Sequence, residues 1–277
     1  MDSSGAFQGA AALSYARRVS AFGERPSGSA AIDSLREWIV SELKPLGGQL
    51  LQDRFAGQTP TGPVPMDNLI LKFPGTSGKA IVISGHYDTK HIPMMHFVGA
   101  NDGASSTAFL IELAHAIAKQ KHRDDIYIVF FDGEEAVGNW TQTDSRYGSR
   151  HLVDTWSVDG TLGKVKALIN VDMIGDKNLD IADDANSSQA LVSLMWQTAD
   201  KLGDGKYFLR QGGAIDDDHV PFANAGVNVL DIIDFDYGPN NSYWHTAGDT
   251  MDKLSAHSFQ VVGDVVLAMI KELDAQP

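Results

Sequence analysis

The 277-residue sequence predicts an α/β fold, in which a central, mixed and mostly parallel sheet is flanked by helices. Apolar, β-branched segments alternate with helical segments along most of the chain, which is the order typical of a sheet covered by helices on both faces. The first two predicted strands have no helix between them, so we expect a mixed rather than a fully parallel sheet. A hydrophobic content of 43% with 21% charged residues indicates a chain with a substantial core.

The first third of the chain is predicted to hold two helices, at 8–22 and 29–44, followed by three strands. The second helix carries apolar residues at spacings of three and four and ends at two adjacent glycines. Strands at 49–55 and 67–73 are separated by a loop rich in proline and glycine. The apolar run 80–86 is typical of a buried strand.

The rest of the chain is predicted to alternate strands with helices. An irregular stretch rich in His and Met, residues 89–101, separates the third strand from the next helix. From the apolar runs we predict strands at 126–131, 165–171 and 227–233. From the helical spacing of apolar residues we predict helices at 104–119, 188–202 and 255–273, with a short helix running from the acidic segment at 216–219 to about 225.

Composition excludes several classes of function. The net charge of −14 argues against a nucleic-acid partner, because phosphates would be repelled. The chain has no cysteine, so it has no disulfide, no thiol nucleophile and no thiolate zinc site. No apolar run reaches the roughly 18–20 residues of a membrane span, so we expect no membrane partner. No signal peptide is visible at the start of the sequence. A chain from which a signal peptide had been removed would look the same, so the compartment stays open. If one was removed, we expect secretion or the periplasm.

Polar residues follow the apolar strands at the point where each strand ends. His86, the pair Glu134-Glu135 and Asp172 occupy such positions, and open α/β sheets bind ligands beyond the carboxyl ends of their strands. Adjacent side chains point in different directions, so one Glu can bind a metal while its neighbour acts as a general base. An ordinary acidic turn is the alternative.

Further candidate ligands lie at helix starts and in a late loop. Asp102 precedes a helix, where it could simply be an N-cap. Asp217 and His219 open the short helix, and His245 follows the last strand; either histidine alone could be a surface or hydrogen-bonded core residue. Taken together, Asp, Glu and His ligands without Cys suit a catalytic zinc site with an open position.

The order of these motifs resembles that of the zinc-dependent aminopeptidase clan and, more closely, that of the animal-type glutaminyl cyclase family. The longer segment between the Glu pair and Tyr147 separates the sequence from typical aminopeptidases. Two departures from animal cyclases are Asp231, where they carry a His, and Gly103-Ala-Ser-Ser106, which is closer to aminopeptidases. The motifs that carry the resemblance are Phe131-Asp-Gly-Glu-Glu-Ala136, Trp140, Asp144–Leu152, Asp217-Asp-His-Val-Pro-Phe222 and Trp244-His-Thr246.

The resemblance implies a single catalytic domain over residues 1–277 with a six-stranded sheet, one Zn²⁺ per chain and action as a monomer. Its substrates would be peptides and proteins with an N-terminal glutamine, which the enzyme would convert to pyroglutamate with release of ammonia. The implied roles are zinc ligation by Asp102, Glu135 and His245; catalysis by Glu134, Asp172 and Asp217; substrate binding by Trp140, Trp244 and Asp216; and support of the ligands from behind by His86 and Asp231.

Two rival interpretations remain at this stage. In a two-zinc aminopeptidase, His86 and Asp172 would bind a second zinc, and a bridging hydroxide would attack the peptide bond. A metal-free binding protein on the same fold is the other rival.

The two tryptophans could equally be core residues. The resemblance also leads us to expect a cis peptide bond between Asp102 and Gly103.

Overall fold

The computed structural model describes residues 5–209 and 211–276. Within these ranges six strands form one sheet, and their chain order is β1 (Gln49–Thr59), β2 (Gly62–Phe73), β3 (Ala80–His86), β4 (Asp125–Phe131), β5 (Val165–Asp172) and β6 (Val229–Ile233). Their spatial order is β1-β2-β4-β3-β5-β6. The four strands β4, β3, β5 and β6 run parallel, whereas β2 is antiparallel to both of its neighbours. The predicted mixed, mostly parallel sheet is confirmed.

Helices cover both faces of this sheet. They are α1 (Gly9–Ser20), α2 (Ala30–Leu43), α3 (Ala104–Ile117), α4 (Tyr147–Asp159), α5 (Gln189–Leu202), α6 (His219–Asn224) and α7 (Ala256–Ala275). Buried residues of α1, α2, α3, α5 and α7 form the larger core with one sheet face, while α4 and α6 pack on the other face. No helix in the described ranges is both long and apolar enough to cross a bilayer.

The alternation of side chains between the two faces of the buried strands explains why helices cover both faces of the sheet. In β3, Ile81 and Ile83 belong to the larger core and Val82 to the smaller one, and Ile128 and Val129 of β4 divide in the same way. Successive strand residues point to opposite faces, so a strand that is apolar throughout needs helices on both sides. Burying each such side chain stabilises the fold by about 1.5–3 kcal/mol.

Two local elements differ from the sequence-based prediction. The predicted loop between the first two strands is instead strand, because β1 and β2 continue to a tight turn at residues 60–61. Pro63 and Pro65 are tolerated there because only β1 pairs with that part of β2, whose pairing with β4 begins at Leu69. Helix α4 was not predicted, because small residues such as Gly148 and Ser149 make much of its buried face and leave little apolar periodicity.

Strand register places the candidate residues side by side. His86 at the end of β3 pairs with Phe131 at the end of β4, from which the chain continues to the Glu pair. Asp172 at the end of β5 pairs with Ile233 at the end of β6. The carboxyl ends of the four parallel strands therefore meet at one edge of the sheet, as the sequence predicts.

Candidate active site

Three side chains converge at this edge in an arrangement that fits a metal ion. His245 Nε2 lies 2.9 Å from Glu135 Oε1 and 3.2 Å from Asp102 Oδ2. Asp102 Oδ2 is buried and accepts no hydrogen bond from the described residues. A buried carboxylate oxygen without a well-aligned hydrogen bond is costly, and a cation between these groups would satisfy it. Two carboxylates and one imidazole are a donor set that zinc accepts in catalytic sites.

The turn that carries the Glu pair is fixed by a buried carboxylate. Asp88 accepts hydrogen bonds from the backbone amides of Glu134 and Glu135, at 3.1 and 3.2 Å. Asp88 itself follows β3 and is 1% exposed. Sequence analysis gave Asp88 no role, although its position directly after a buried strand is the same signal that identified His86.

A second buried carboxylate fixes the turn that carries Asp102. Asp249 accepts hydrogen bonds from the backbone amides of Asn101 and Asp102, at 2.8 and 3.1 Å, and from the hydroxyl of Tyr237 at 2.8 Å. Asp249 was missed by sequence analysis. An Asp in a Gly-Asp-Thr turn is common, and nothing in the pattern shows that it reaches back to a turn 147 residues away.

The expectation of a cis peptide bond at Asp102–Gly103 is wrong, because the described residues contain no cis peptide bond. Gly103 instead adopts φ +85° and ψ −39° directly before α3. A Cβ atom there would lie 2.5 Å from the carbonyl oxygen of Asp88 and 3.1 Å from Cε1 of His86. The turn therefore requires glycine both for its backbone conformation and for close packing.

His86 joins the predicted metal ligands to the predicted catalytic carboxylates. Its Nε2 lies 3.2 Å from Asp172 Oδ1 and 3.3 Å from Asp102 Oδ1, and the residue is 1% exposed. This geometry suits a His that orients two carboxylates by hydrogen bonding. The same three side chains could also hold a second cation. The geometry alone therefore permits either one or two metal ions.

Two of the three catalytic candidates, Glu134 and Asp172, are buried carboxyls that border the cavity described below. Burial, together with the negative charges of Glu135 and Asp217, raises the pKa of Glu134 well above its ordinary value, although His86 opposes the shift. Burial also raises the pKa of Asp172 to about 6, again against His86. A carboxyl whose pKa is raised in this way holds a proton more readily than usual, which suits general acid–base catalysis.

A cavity of about 810 Å³ opens from these carboxyls to the surface. Trp140 lines it and donates a hydrogen bond from Nε1 to Asp216 Oδ2 at 3.0 Å, while Arg146 pairs with the other oxygen of Asp216. Trp244 lines it as well and stacks on the ring of His245, with centroids 4.1 Å apart. Both tryptophans therefore line the cavity, and Trp244 also packs against the small buried cluster of Met173, Ile233 and Tyr237.

Asp217 lies at the cavity wall, whereas Asp231 lies one step behind it. Asn170 Nδ2 donates to Asp217 Oδ2 at 3.0 Å and to Asp231 Oδ1 at 3.1 Å. The pKa of both carboxyls is raised, in each case first by burial. Asp231 does not reach the cavity, since its other neighbour is the buried ring of His219, 3.6 Å away.

His219 is a buried histidine that sequence analysis treated as a possible core or surface residue. It lies between Asp231 and Asp184, with its Nε2 3.0 Å from Asp184 Oδ2. Burial lowers the pKa of His219, but Asp231 and Asp184 outweigh burial and raise it to about 9. His219 therefore supplies a positive charge to a buried acidic cluster and does not contact the cavity.

Comparison with known proteins shows which family and which solved structures the chain is similar to. The model of peptidase family M28 matches residues 68–270. The chain is 30% identical to the glutaminyl-peptide cyclotransferase of Dictyostelium discoideum, over 82% of this chain and 74% of that protein. It is 44% identical to a glutaminyl cyclase from an Acidobacteriales bacterium, whose crystal structure superposes with a TM-score of 0.94 over 97% of this chain and 95% of that chain. A Zn-dependent exopeptidase from Parabacteroides distasonis is 28% identical, with a TM-score of 0.85 over 96% of this chain and 98% of that chain.

Proposed function

The chain belongs to peptidase family M28, and from this premise we propose that it is a zinc-dependent glutaminyl-peptide cyclotransferase. It would convert the N-terminal glutamine of peptides and proteins to pyroglutamate and release ammonia. The observation that carries the proposal is the pair of cavity tryptophans beside the metal triad, with Trp140 fixed by Asp216. The 44% identity to a glutaminyl cyclase along nearly the whole chain supports it.

The residues that would hold the zinc are Asp102, Glu135 and His245. When bound there, zinc would supply a Lewis acid for the γ-carbonyl of the substrate glutamine. The proposal is one zinc per chain, with His86 orienting Asp102 and Asp172 by hydrogen bonds. All proposed catalytic and ligand residues come from one chain, which is consistent with action as a monomer.

Ring closure needs no nucleophile from the protein, because the α-amine of the substrate attacks its own side-chain carbonyl carbon. A C–N bond forms, the side-chain amide bond breaks, and ammonia leaves. Glu134 would take the proton from the attacking amine and return it to the departing ammonia. The raised pKa of Glu134, caused first by burial, suits a carboxyl that must first accept a proton and then donate it.

The neighbouring carboxyls and the tryptophans would hold the substrate in a reactive geometry. Asp217 is fixed by Asn170 and lies with Asp172 at the cavity wall, where both can accept hydrogen bonds from the substrate amine. Trp140 and Trp244 would restrict the folded glutamine side chain between them and exclude water, which favours ring closure by orientation.

The two-zinc aminopeptidase is the second candidate, and one observation favours it. His86, Asp102 and Asp172 lie close enough together to hold another cation, and a Zn-dependent exopeptidase shares the fold. That protein is 28% identical, against 44% for the cyclase. The cyclase is therefore the better supported candidate.

The test is to incubate the protein with peptides that begin with glutamine and to follow both products. We expect a mass loss of one ammonia per peptide, ammonia in a coupled assay, and an intact first peptide bond. Matched peptides that begin with asparagine or leucine serve as controls. Release of free N-terminal amino acids without ammonia would instead identify a peptidase.

A further inference from the structure

Arg25 lies in the segment between α1 and α2 and is completely buried. Its guanidinium donates from Nε to the carbonyl oxygen of Tyr87 at 3.0 Å, from Nη1 to Val98 at 2.5 Å and from Nη2 to Gly99 at 3.1 Å. Its backbone also exchanges hydrogen bonds with Thr89, at 2.9 Å to Oγ1 and 3.3 Å from the Thr89 amide. One side chain therefore connects two segments, 87–89 and 98–99, of the single long loop between β3 and α3.

These two segments of the loop carry groups of the proposed metal centre. The segment 87–89 directly follows His86 and contains Asp88, which fixes the Glu pair. The segment 98–99, near the other end of the same loop, leads to Asp102 three residues later. Nη2 of Arg25 also lies 3.2 Å from the point where a Cβ of Gly103 would sit, so the guanidinium fills the space against this turn.

The charge of Arg25 is unusual, because its side-chain hydrogen bonds in the described ranges all end on carbonyl oxygens and none on a carboxylate. Burial lowers its pKa to about 10, and the nearby charges of Asp102, Asp249 and Asp88 partly offset the shift. The guanidinium thus stays protonated at neutral pH. A buried cation without a paired anion is costly, so its presence requires a structural reason.

We propose that Arg25 is a positioning residue that fixes the distance between the two ends of the β3–α3 loop, and so between the groups of the metal centre that each end carries. The inference rests on the proposed function, in that Asp102, Glu135 and His245 bind the zinc. A planar guanidinium can donate to three carbonyl oxygens in different directions at once, whereas the ammonium of Lys cannot reproduce this fork. The role therefore depends on the geometry of arginine and not on its charge alone.

A role of Arg25 through its charge and a role through its geometry predict opposite changes in zinc affinity. A positive charge behind the site repels a bound zinc ion, so a role through charge alone would make Arg25→Gln bind zinc more tightly and leave Arg25→Lys unchanged. If Arg25 instead positions the two segments of the β3–α3 loop, both Arg25→Gln and Arg25→Lys should bind zinc more weakly. The loss should be about tenfold to a hundredfold, as for other residues that orient metal ligands.

The experiment measures zinc affinity by competition with a chelator, using wild type, Arg25→Lys and Arg25→Gln, and records the visible spectrum of the cobalt-substituted proteins. We expect weaker zinc binding and a changed cobalt spectrum in both variants. The matched control is Trp156→Phe, a buried change on the opposite sheet face that should lower stability without altering either readout.

A variant at Thr89 allows the proposal to be tested even if both Arg25 variants fail to fold. Thr89→Val removes the acceptor for the Arg25 amide and leaves the guanidinium in place, so it should weaken zinc binding in the same direction by a smaller factor. Unchanged zinc affinity in Arg25→Lys, tighter binding in Arg25→Gln, or no effect of Thr89→Val when the others are unfolded would overturn the inference. Failure of the proposed function is distinguishable, because wild type itself would then bind no zinc or cyclise no peptide.

Discussion

Replacing Glu134 by glutamine should stop the reaction while leaving both the fold and the metal site in place. The backbone of Glu134 is fixed independently of its side chain, since its amide donates to Asp88 and its carbonyl accepts from Arg146 at 2.7 Å. Burial already raises the pKa of the Glu134 carboxyl well above its ordinary value, so a neutral amide of the same shape costs the folded state little. We therefore expect the melting temperature to stay the same or to rise.

The expected loss in kcat is about 10²–10⁴-fold, because a general acid–base group typically contributes that much. Each factor of ten corresponds to about 1.4 kcal/mol, so the barrier should rise by about 3–5 kcal/mol. The assay is ammonia release from a Gln-initiated peptide, with zinc content measured on the same sample. Glu135→Gln is the matched control, since it changes the adjacent carboxylate, which lies 2.9 Å from His245, and should lose zinc. Turnover by Glu134→Gln close to that of wild type would refute the proposed proton transfer.

Three further predictions concern the cavity, the metal count and the fold. Trp244→Ala should lower kcat/KM strongly but the melting temperature only slightly, because the ring lines the cavity; a large fall in stability with unchanged activity would contradict this. His86→Ala should retain one zinc by mass, whereas loss of one of two tightly bound ions would favour the aminopeptidase. Burial raises the pKa of Glu112 to about 7, so the stability from its protonated form is present below about pH 4.5 and is lost as the pH rises to 7. Glu112→Gln should remove this dependence and stabilise the protein at pH 8 by about 1–3 kcal/mol, measured by urea unfolding; an unchanged pH profile would contradict it.

The strands were predictable because burial leaves a direct trace in the sequence. A strand covered on both faces must be apolar at every position, so runs such as 80–86 and 126–131 stand out. The ends of those strands then predicted where His86 and Asp172 would lie. Helix α4 left no such trace, because Gly148 packs against the backbone of Asp132, where a Cβ would lie 2.5 Å from its carbonyl oxygen. Close backbone packing selects small residues, and small residues carry no helical period.

The residues that hold the loops of the site in place were harder to predict, for a related reason. Asp88, Asp249 and Arg25 make most of their hydrogen bonds to backbone amides and carbonyls, which every residue possesses. Such contacts require no partner side chain and therefore no matching motif elsewhere in the chain. A sequence can reveal residues that must carry particular chemistry, such as a Glu pair, but not residues whose task is to fix the position of another loop.

Asp231 shows how a departure from a family pattern can be accommodated inside the fold. Animal glutaminyl cyclases resemble this chain but carry a His at this position, and a carboxylate buried there alone would be costly. Asp231 instead accepts a hydrogen bond from Asn170 and lies 3.6 Å from His219, whose positive charge it shares with Asp184. Because Asn170 also donates to Asp217, the substituted position still connects to the cavity wall through one amide group. The change at 231 therefore leaves Asp217 hydrogen-bonded at the cavity, and the carboxylate introduced at 231 lies beside the imidazole of His219 in α6.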